Sequence, residues 1–88
     1  MDERSATIAF ERFLHGKQAK MGEALARVPR EAQRLSAGWA FFYQSEAFVA
    51  TGDVSAMLAG HGPVVICDDG RVIEGGSLDH DPEALLAR

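Results

Sequence analysis

The sequence has few of the residues that build covalent cross-links or catalytic centres. Its 88 residues include one cysteine, one tryptophan, one tyrosine and three prolines. The lone Cys67 cannot form a disulfide within the chain, which fits a reducing cytoplasm. No apolar run approaches the roughly 20 residues that a membrane-spanning helix needs, and the polar N-terminal residues predict no signal peptide. We therefore expect a cytoplasmic protein that does not associate with membranes.

The chain also lacks the spacing of a metal or catalytic site. Its histidines do not have the i, i+4 spacing of a helical zinc pair; they are His15, His61 and His80. Asp68-Asp69-Gly70 is better explained as a hairpin turn than as a calcium loop, because apolar residues follow where ligands are needed. A nucleophilic pair of Cys67 and His61 is conceivable, but a lone strand cysteine usually behaves as a small core residue. We expect no cofactor and no catalysis.

The composition is that of a small globular domain, residues 1–88, with unevenly distributed charge. Hydrophobic residues make up 47% and charged residues 25%, which argues against disorder. Residues 1–45 hold seven basic and five acidic residues, whereas residues 46–88 hold two basic and eight acidic, so the halves carry +2 and −6. The acidic half disfavours nucleic acid and suits a basic protein partner, unless the charge serves solubility alone.

The N-terminal third of the chain predicts helix. Apolar residues recur at helical spacing in two segments, 3–14 and 17–27. His15-Gly16 is a plausible break, so this region forms either two helices or one bent helix that ends before Pro29. Residues 30–37 are ambiguous, because propensity favours helix whereas their position allows an edge strand.

The strongest strand prediction covers Trp39 to Tyr43, where aromatic residues dominate. Alternation places Trp39, Phe41 and Tyr43 on one face, and Ala40 and Phe42 on the other. Because both faces are apolar, we expect a central strand.

Capping residues define two short helices after this strand. Ser45 predicts the start of a helix over 46–50. Asp53 predicts a second helix over 54–59, which Gly60 would end.

The last part of the chain predicts a hairpin followed by a helix. Pro63 leads into a β-branched strand over 64–67, and Gly70 supplies the turn to a strand over 71–74. Asp81 is the expected cap of a final helix. The predicted fold class is α+β: a small antiparallel sheet of three to four strands packed against an N-terminal helix or helix pair, with short helices between strands and at the C-terminus.

Four stretches in the centre of the chain carry a family resemblance: Gly38-Trp39-Ala40-Phe41-Phe42-Tyr43-Gln44-Ser45, Thr51-Gly52-Asp53, residues 58–66 and Asp69-Gly70-Arg71-Val72. Together, over residues 38–78, they resemble the immunity protein 35 family, or YrhB domain, of bacterial polymorphic toxin systems. The resemblance implies an α+β fold, a strand within residues 30–37, and a non-enzymatic protein that binds and neutralises a cognate toxin. The same resemblance allows an alternative, a small chaperone-like or stress-related protein that binds unfolded clients.

Two sets of candidate residues follow from these observations. We predict contacts with a protein partner at Tyr43, Asp68, Asp69, Glu74 and Asp79, on the basis of aromatic character and acidic charge. We expect structural roles for Trp39, Gly60, Pro63 and Gly70. The partner would be the cognate toxin rather than nucleic acid, and a homodimer is left open.

Overall fold

The computed structural model describes residues 1–87, which form helices and strands in the order of an α+β protein. The helices are α1 Glu3–Met21, α2 Glu46–Thr51 and α3 Pro82–Leu85, with a 3₁₀ helix at Val54–Ala56. The strands are β1 Leu25–Arg27, β2 Gln33–Leu35, β3 Gly38–Phe41, β4 Tyr43–Ser45, β5 His61–Cys67 and β6 Val72–Gly76. The predicted fold class is therefore confirmed.

The strands of the described chain form two antiparallel sheets. The larger sheet has the strand order β2-β3-β5-β6, and β1 pairs with β4 in the smaller sheet. Trp39 of β3 lies opposite Ile66 of β5, and Val65 lies opposite Ile73 of β6. β3 is a central strand, as predicted, and β2 is the edge strand that the resemblance implied for residues 30–37.

α1 is one continuous helix, so His15-Gly16 does not break it. Asp2 caps its first turn, and Gly22 ends it in the left-handed conformation with φ of 68°. The predicted helix over 17–27 is wrong beyond Met21, because the chain turns at Gly22 and continues as β1. The Gln18 side chain supports this turn by accepting the Leu25 N–H at 2.8 Å. None of the helices within residues 1–87 is long and apolar enough to cross a membrane.

α1 and α3 cover opposite faces of the larger sheet. The cluster under α1 contains Ala6, Phe10, Leu14, Leu25, Phe41, Tyr43, Val64 and Ile66, with Trp39 packed at its margin. The rings of Phe10 and Phe41 stack with their centroids 4.6 Å apart. The cluster on the α3 side contains Leu35, Ala40, Val65, Cys67 and Leu85. The alternation predicted for β3 is thus confirmed, with Phe41 and Ala40 on opposite faces.

The predicted strand from Trp39 to Tyr43 is interrupted at Phe42, and this part of the prediction is wrong. β3 ends one residue before Phe42 and β4 begins one residue after it. The break arises because β4 leaves β5 and pairs with β1, where the Val28 N–H donates to the Phe42 carbonyl at 2.9 Å. Phe42 therefore lies in neither core cluster.

The short helices begin where their caps predict, but the second is shorter than expected. The Ser45 hydroxyl accepts an N–H of the first turn of α2 at 3.1 Å. Asp53 caps the 3₁₀ helix, which ends at residue 56, so the predicted helix over 54–59 is wrong in its second half. The chain cannot continue as a helix there, because the Gln44 side chain bonds both the N–H and the carbonyl of Leu58.

The hairpin and the final helix follow their turn and cap residues. The Gly70 N–H donates to the Cys67 carbonyl at 2.9 Å, and Gly70 has φ of 94°. The predicted strand bounds are partly wrong: β5 begins at His61 rather than at residue 64, and β6 spans Val72–Gly76 rather than 71–74. Asp81 caps α3, as predicted.

Candidate protein-binding surface

A groove of about 360 Å³ lies where the two sheets separate. It is lined by Val28, Arg30, Phe42, Tyr43, Gln44, His61, Gly62, Pro63, Gly76, Ser77, Asp79 and His80. One wall comes from β4 and the segment after β1, and the other comes from the segment after β6. The groove exists because the chain leaves the larger sheet at Phe42, so that β4 no longer lies beside β5.

His61 joins the two sheets across the base of this groove. Its Nε2 atom lies 2.8 Å from the Tyr43 carbonyl oxygen, and its ring lies 4.5 Å from the Tyr43 ring. Because a carbonyl oxygen only accepts, the proton is on Nε2 and the imidazole donates. The side chain of His61 thereby replaces the backbone partner that Tyr43 lacks on this side of β4.

Tyr43, a predicted partner contact, is largely a core residue. Its side chain is 4% exposed, and its ring meets Phe13 edge-on at 6.2 Å. Burial raises the pKa of the Tyr43 hydroxyl, which keeps the phenol neutral. Tyr43 lines the groove, but its contact with a partner stays a prediction.

Asp79, a second predicted contact, closes the turn that forms the far wall. Its Oδ2 atom accepts the Gly76 N–H at 2.6 Å, and its own N–H donates to the Gly76 carbonyl at 3.0 Å. Leu78 stands at the tip of this turn and is 86% exposed. The turn therefore presents an apolar side chain from a backbone held at both ends.

Arg30 lines the groove, Arg27 contacts the Arg30 backbone, and sequence reasoning missed both. The guanidinium carbon of Arg30 lies 4.5 Å from the centre of the Phe42 ring, and that of Arg27 lies 4.9 Å from the centre of Phe41. Arg27 also donates through Nη2 to the Arg30 carbonyl at 3.3 Å. The sequence placed Arg27 in a helix and Arg30 in an ambiguous segment. Pro29 between them was the one signal for an extended connection.

At the β5–β6 turn, the carboxylates of Asp68 and Asp69 each form an ion pair with an arginine. Both oxygens of Asp68 accept from the guanidinium of Arg34, at 2.9 and 3.0 Å. These hydrogen bonds hold the pKa of Asp68 below its usual value. Asp69 accepts from the backbone N–H and then from the side chain of Arg71, and its pKa is lowered for the same reason.

Glu74 is paired on the α1 side of the sheet, with Lys17 at 3.1 Å. Neither Glu74 nor the two aspartates of the β5–β6 turn line the groove. The structure thus brings Tyr43 and Asp79 together and leaves the other three predicted contacts elsewhere, each beside its own basic residue.

The residues expected to be structural lie at turns and packing points. Trp39 donates through Nε1 to the Met1 carbonyl at 3.0 Å, and Gly60 has φ of 84° directly before β5. The neighbouring Gly62, which sequence reasoning did not single out, is more constrained. A Cβ at Gly62 would lie 2.1 Å from the Gly76 carbonyl oxygen.

Cys67 and His61 cannot act as a catalytic pair. They occupy the two ends of β5, and a strand rise of about 3.3 Å per residue separates them by about 20 Å. Cys67 is 2% exposed, and burial raises the pKa of its thiol. Within residues 1–87, no three His, Cys, Asp or Glu side chains are grouped closely enough to hold a metal ion.

Comparison with known families identifies the chain. The family model for Immunity protein 35 matches residues 6–84. The match includes most of α1 and the smaller sheet, beyond the central segment on which the resemblance rested. No curated protein and no solved structure gives a match. Because the matched residues span nearly the whole sequence, the chain belongs to the immunity protein 35 family.

Proposed function

We propose that this protein binds a cognate bacterial toxin and neutralises it by binding alone, in the cytoplasm. The observation that carries the proposal is the match to Immunity protein 35 over residues 6–84. Neutralisation of this kind needs a stable surface rather than a reacting group. The groove, with its rigid turn and exposed Leu78, supports the proposal as a surface that a partner can cover.

The experiment that tests this proposal is co-expression with the toxin domain encoded beside this gene. We expect cells to survive induction of the toxin only when this protein is present, and the two purified proteins to form a 1:1 complex. A stable complex should bury at least about 1,200 Å² of total surface. Cell death despite soluble expression of both proteins would refute the proposal.

The acidic residues outside the groove are proposed as a second part of the interface. Joint replacement of Asp68, Asp69 and Glu74 by their amides changes the net charge by +3 and removes the ion pairs of four cations: Lys17, Arg34, Arg71 and the N-terminal ammonium. If these carboxylates attract a basic toxin, the association rate should fall and depend less on salt. An unchanged association rate would place the interface elsewhere.

The matched control for that experiment lies on α1 and in the turn directly after it. Glu3, Glu11 and Glu23 are exposed and have no ion pair within the described residues. Their joint conversion to Gln gives the same change in net charge at a different place. A specific effect of the first triple variant must exceed the effect of this one.

A further inference from the structure

We infer that the groove between the sheets receives a carboxylate-bearing segment of the partner protein, and that Arg30 pairs with this carboxylate. The inference rests on the proposed function, because the partner is the toxin. It identifies the surface used and the chemistry that the surface recognises. It also assigns to the groove a role opposite in charge to the acidic residues elsewhere on the protein.

The first observation is that Arg30 packs against an aromatic ring and has no carboxylate partner among the described residues. Its guanidinium carbon lies 4.5 Å from the centre of the Phe42 ring, a cation–π contact that favours this position of the side chain. Phe42 belongs to neither core cluster, so its ring serves as a platform rather than as core filling. Among residues 1–87, no carboxylate lies within 4.0 Å of Arg30.

The second observation is that Arg27 reinforces this arrangement. The Arg27 guanidinium lies over the Phe41 ring and donates a hydrogen bond to the Arg30 carbonyl. This hydrogen bond restrains the backbone at Arg30. Arg27 likewise has no carboxylate within 4.0 Å among the described residues. Neither arginine of this segment therefore has a carboxylate partner among the described residues, and only Arg30 lines the groove.

Three other cations of the described chain differ from Arg30, because each has a carboxylate partner. Arg34 also lies over an aromatic ring, at 5.2 Å from the centre of Trp39, yet it makes two hydrogen bonds to Asp68. Arg71 and Lys17 each have a carboxylate partner as well. A planar guanidinium that is held in place and unpaired matches a carboxylate, which it can bind through two parallel hydrogen bonds.

Three other polar side chains of the groove have partners within the protein, and one of them, the Asp79 carboxylate, accepts the Gly76 N–H. His61 donates to the Tyr43 carbonyl, and the Gln44 amide is engaged by the backbone of Leu58. Leu78, between the lining residues Ser77 and Asp79, is 86% exposed and offers an apolar contact next to the groove. An acidic side chain flanked by apolar residues fits this combination.

Phosphate is the other anion that a guanidinium recognises, and the overall charge decides against it. The chain carries a net charge of −4, which repels a nucleic acid along its length. A single acidic side chain on a folded protein is not subject to this repulsion, because the rest of its surface can be basic. We therefore assign a protein carboxylate rather than a phosphate backbone.

The test compares variants of Arg30 in binding to a catalytically inactive form of the toxin domain encoded beside this gene. Isothermal titration calorimetry should show a Kd at least about 30-fold higher for Arg30→Ala. Arg30→Lys keeps the charge but loses the planar fork, so we expect an intermediate loss. Arg12→Ala is the matched control, because Arg12 is exposed on α1, outside the groove, and should bind within about twofold of wild type.

The outcomes separate this inference from the proposed function. If wild type and Arg30→Ala bind equally while circular dichroism shows both folded, the groove assignment is wrong and neutralisation by another surface stands. If wild type does not bind, both are wrong. If a labelled single-stranded RNA binds without toxin and depends on Arg30, the recognised anion is phosphate and the carboxylate assignment is overturned.

Discussion

The close approach of β5 and β6 at Gly62 makes a quantitative test of the fold. A Cβ at Gly62 would lie 2.1 Å from the carbonyl oxygen and 2.8 Å from the carbonyl carbon of Gly76. Both obstructing atoms belong to the backbone, so no side-chain rotation can relieve the clash. Gly62 also lies in the irregular pairing between His61 and Val64, where β5 shifts register against β6. We therefore expect Gly62→Ala to force the strands apart.

The size of this effect follows from the distances. Carbon–oxygen contacts between strands are normally about 3.3 Å or longer, so the backbones must separate by about 1.2 Å at Gly62. Overpacking of well-packed regions costs about 1–3 kcal/mol, and a backbone clash belongs at the upper end. A loss of about 3 kcal/mol should lower Tm by roughly 12–24 °C in a domain of this size.

Gly16→Ala is the matched control for the same substitution. Gly16 lies inside α1, and nothing lies within 4 Å of a Cβ built there. Alanine favours helix over glycine by about 1 kcal/mol, so this variant should melt roughly 4–8 °C higher than wild type. Thermal melts by circular dichroism, with urea titrations for the free energy of unfolding, measure both variants. A Gly62→Ala protein that melts within about 2 °C of wild type would refute the described strand approach.

Three further predictions concern single side chains. Ser45→Ala should lower the free energy of unfolding by about 2 kcal/mol in urea titrations, because it removes the α2 cap and leaves the Ala56 carbonyl without its donor at 2.6 Å. Asp68→Asn should reduce the fall of Tm on acidification. The hydrogen bonds from Arg34 lower the pKa of the Asp68 carboxyl in the folded state, so the ionised pair stabilises the protein fully above the unfolded pKa of about 3.9. That stabilisation is lost as pH falls through the lower folded-state pKa. A Tm profile between neutral and acidic pH that is identical in both proteins would contradict this. The buried thiol of Cys67 should react with Ellman's reagent slowly in the native protein and rapidly in denaturant, and fast native labelling would contradict its burial.

The sequence predicted the elements whose signals are local. The caps at Ser45 and Asp81 and the turn at Gly70 depend on neighbouring residues alone, and the structure places all three as expected. The faces of β3 were predictable because alternation in a strand depends only on sequence position. The helix start at Asp53 was also local, but its length was not, because Gln44 binds the chain further on.

What the sequence could not show depends on contacts between distant segments. The helical pattern over 17–27 was genuine, but pairing of residues 25–27 with β4 outweighs it. The split at Phe42 has the same cause, since β4 finds its partner in β1. Because the groove is a product of that split, neither its position nor the exposed guanidinium of Arg30 could be predicted from spacing.

The break at Phe42 also determines which part of the protein should unfold locally, namely the smaller sheet of β1 and β4. Within residues 1–87 the two sheets share no backbone ladder, and they are joined by the chain itself, by the His61 side chain and by the core cluster under α1. Amides of the smaller sheet, such as Ala26, should therefore exchange with deuterium through local openings that leave Val65 protected. A toxin segment lying in the groove would hold both walls at once. Toxin binding would then slow the deuterium exchange of β1 amides such as Ala26, which lie outside the groove lining.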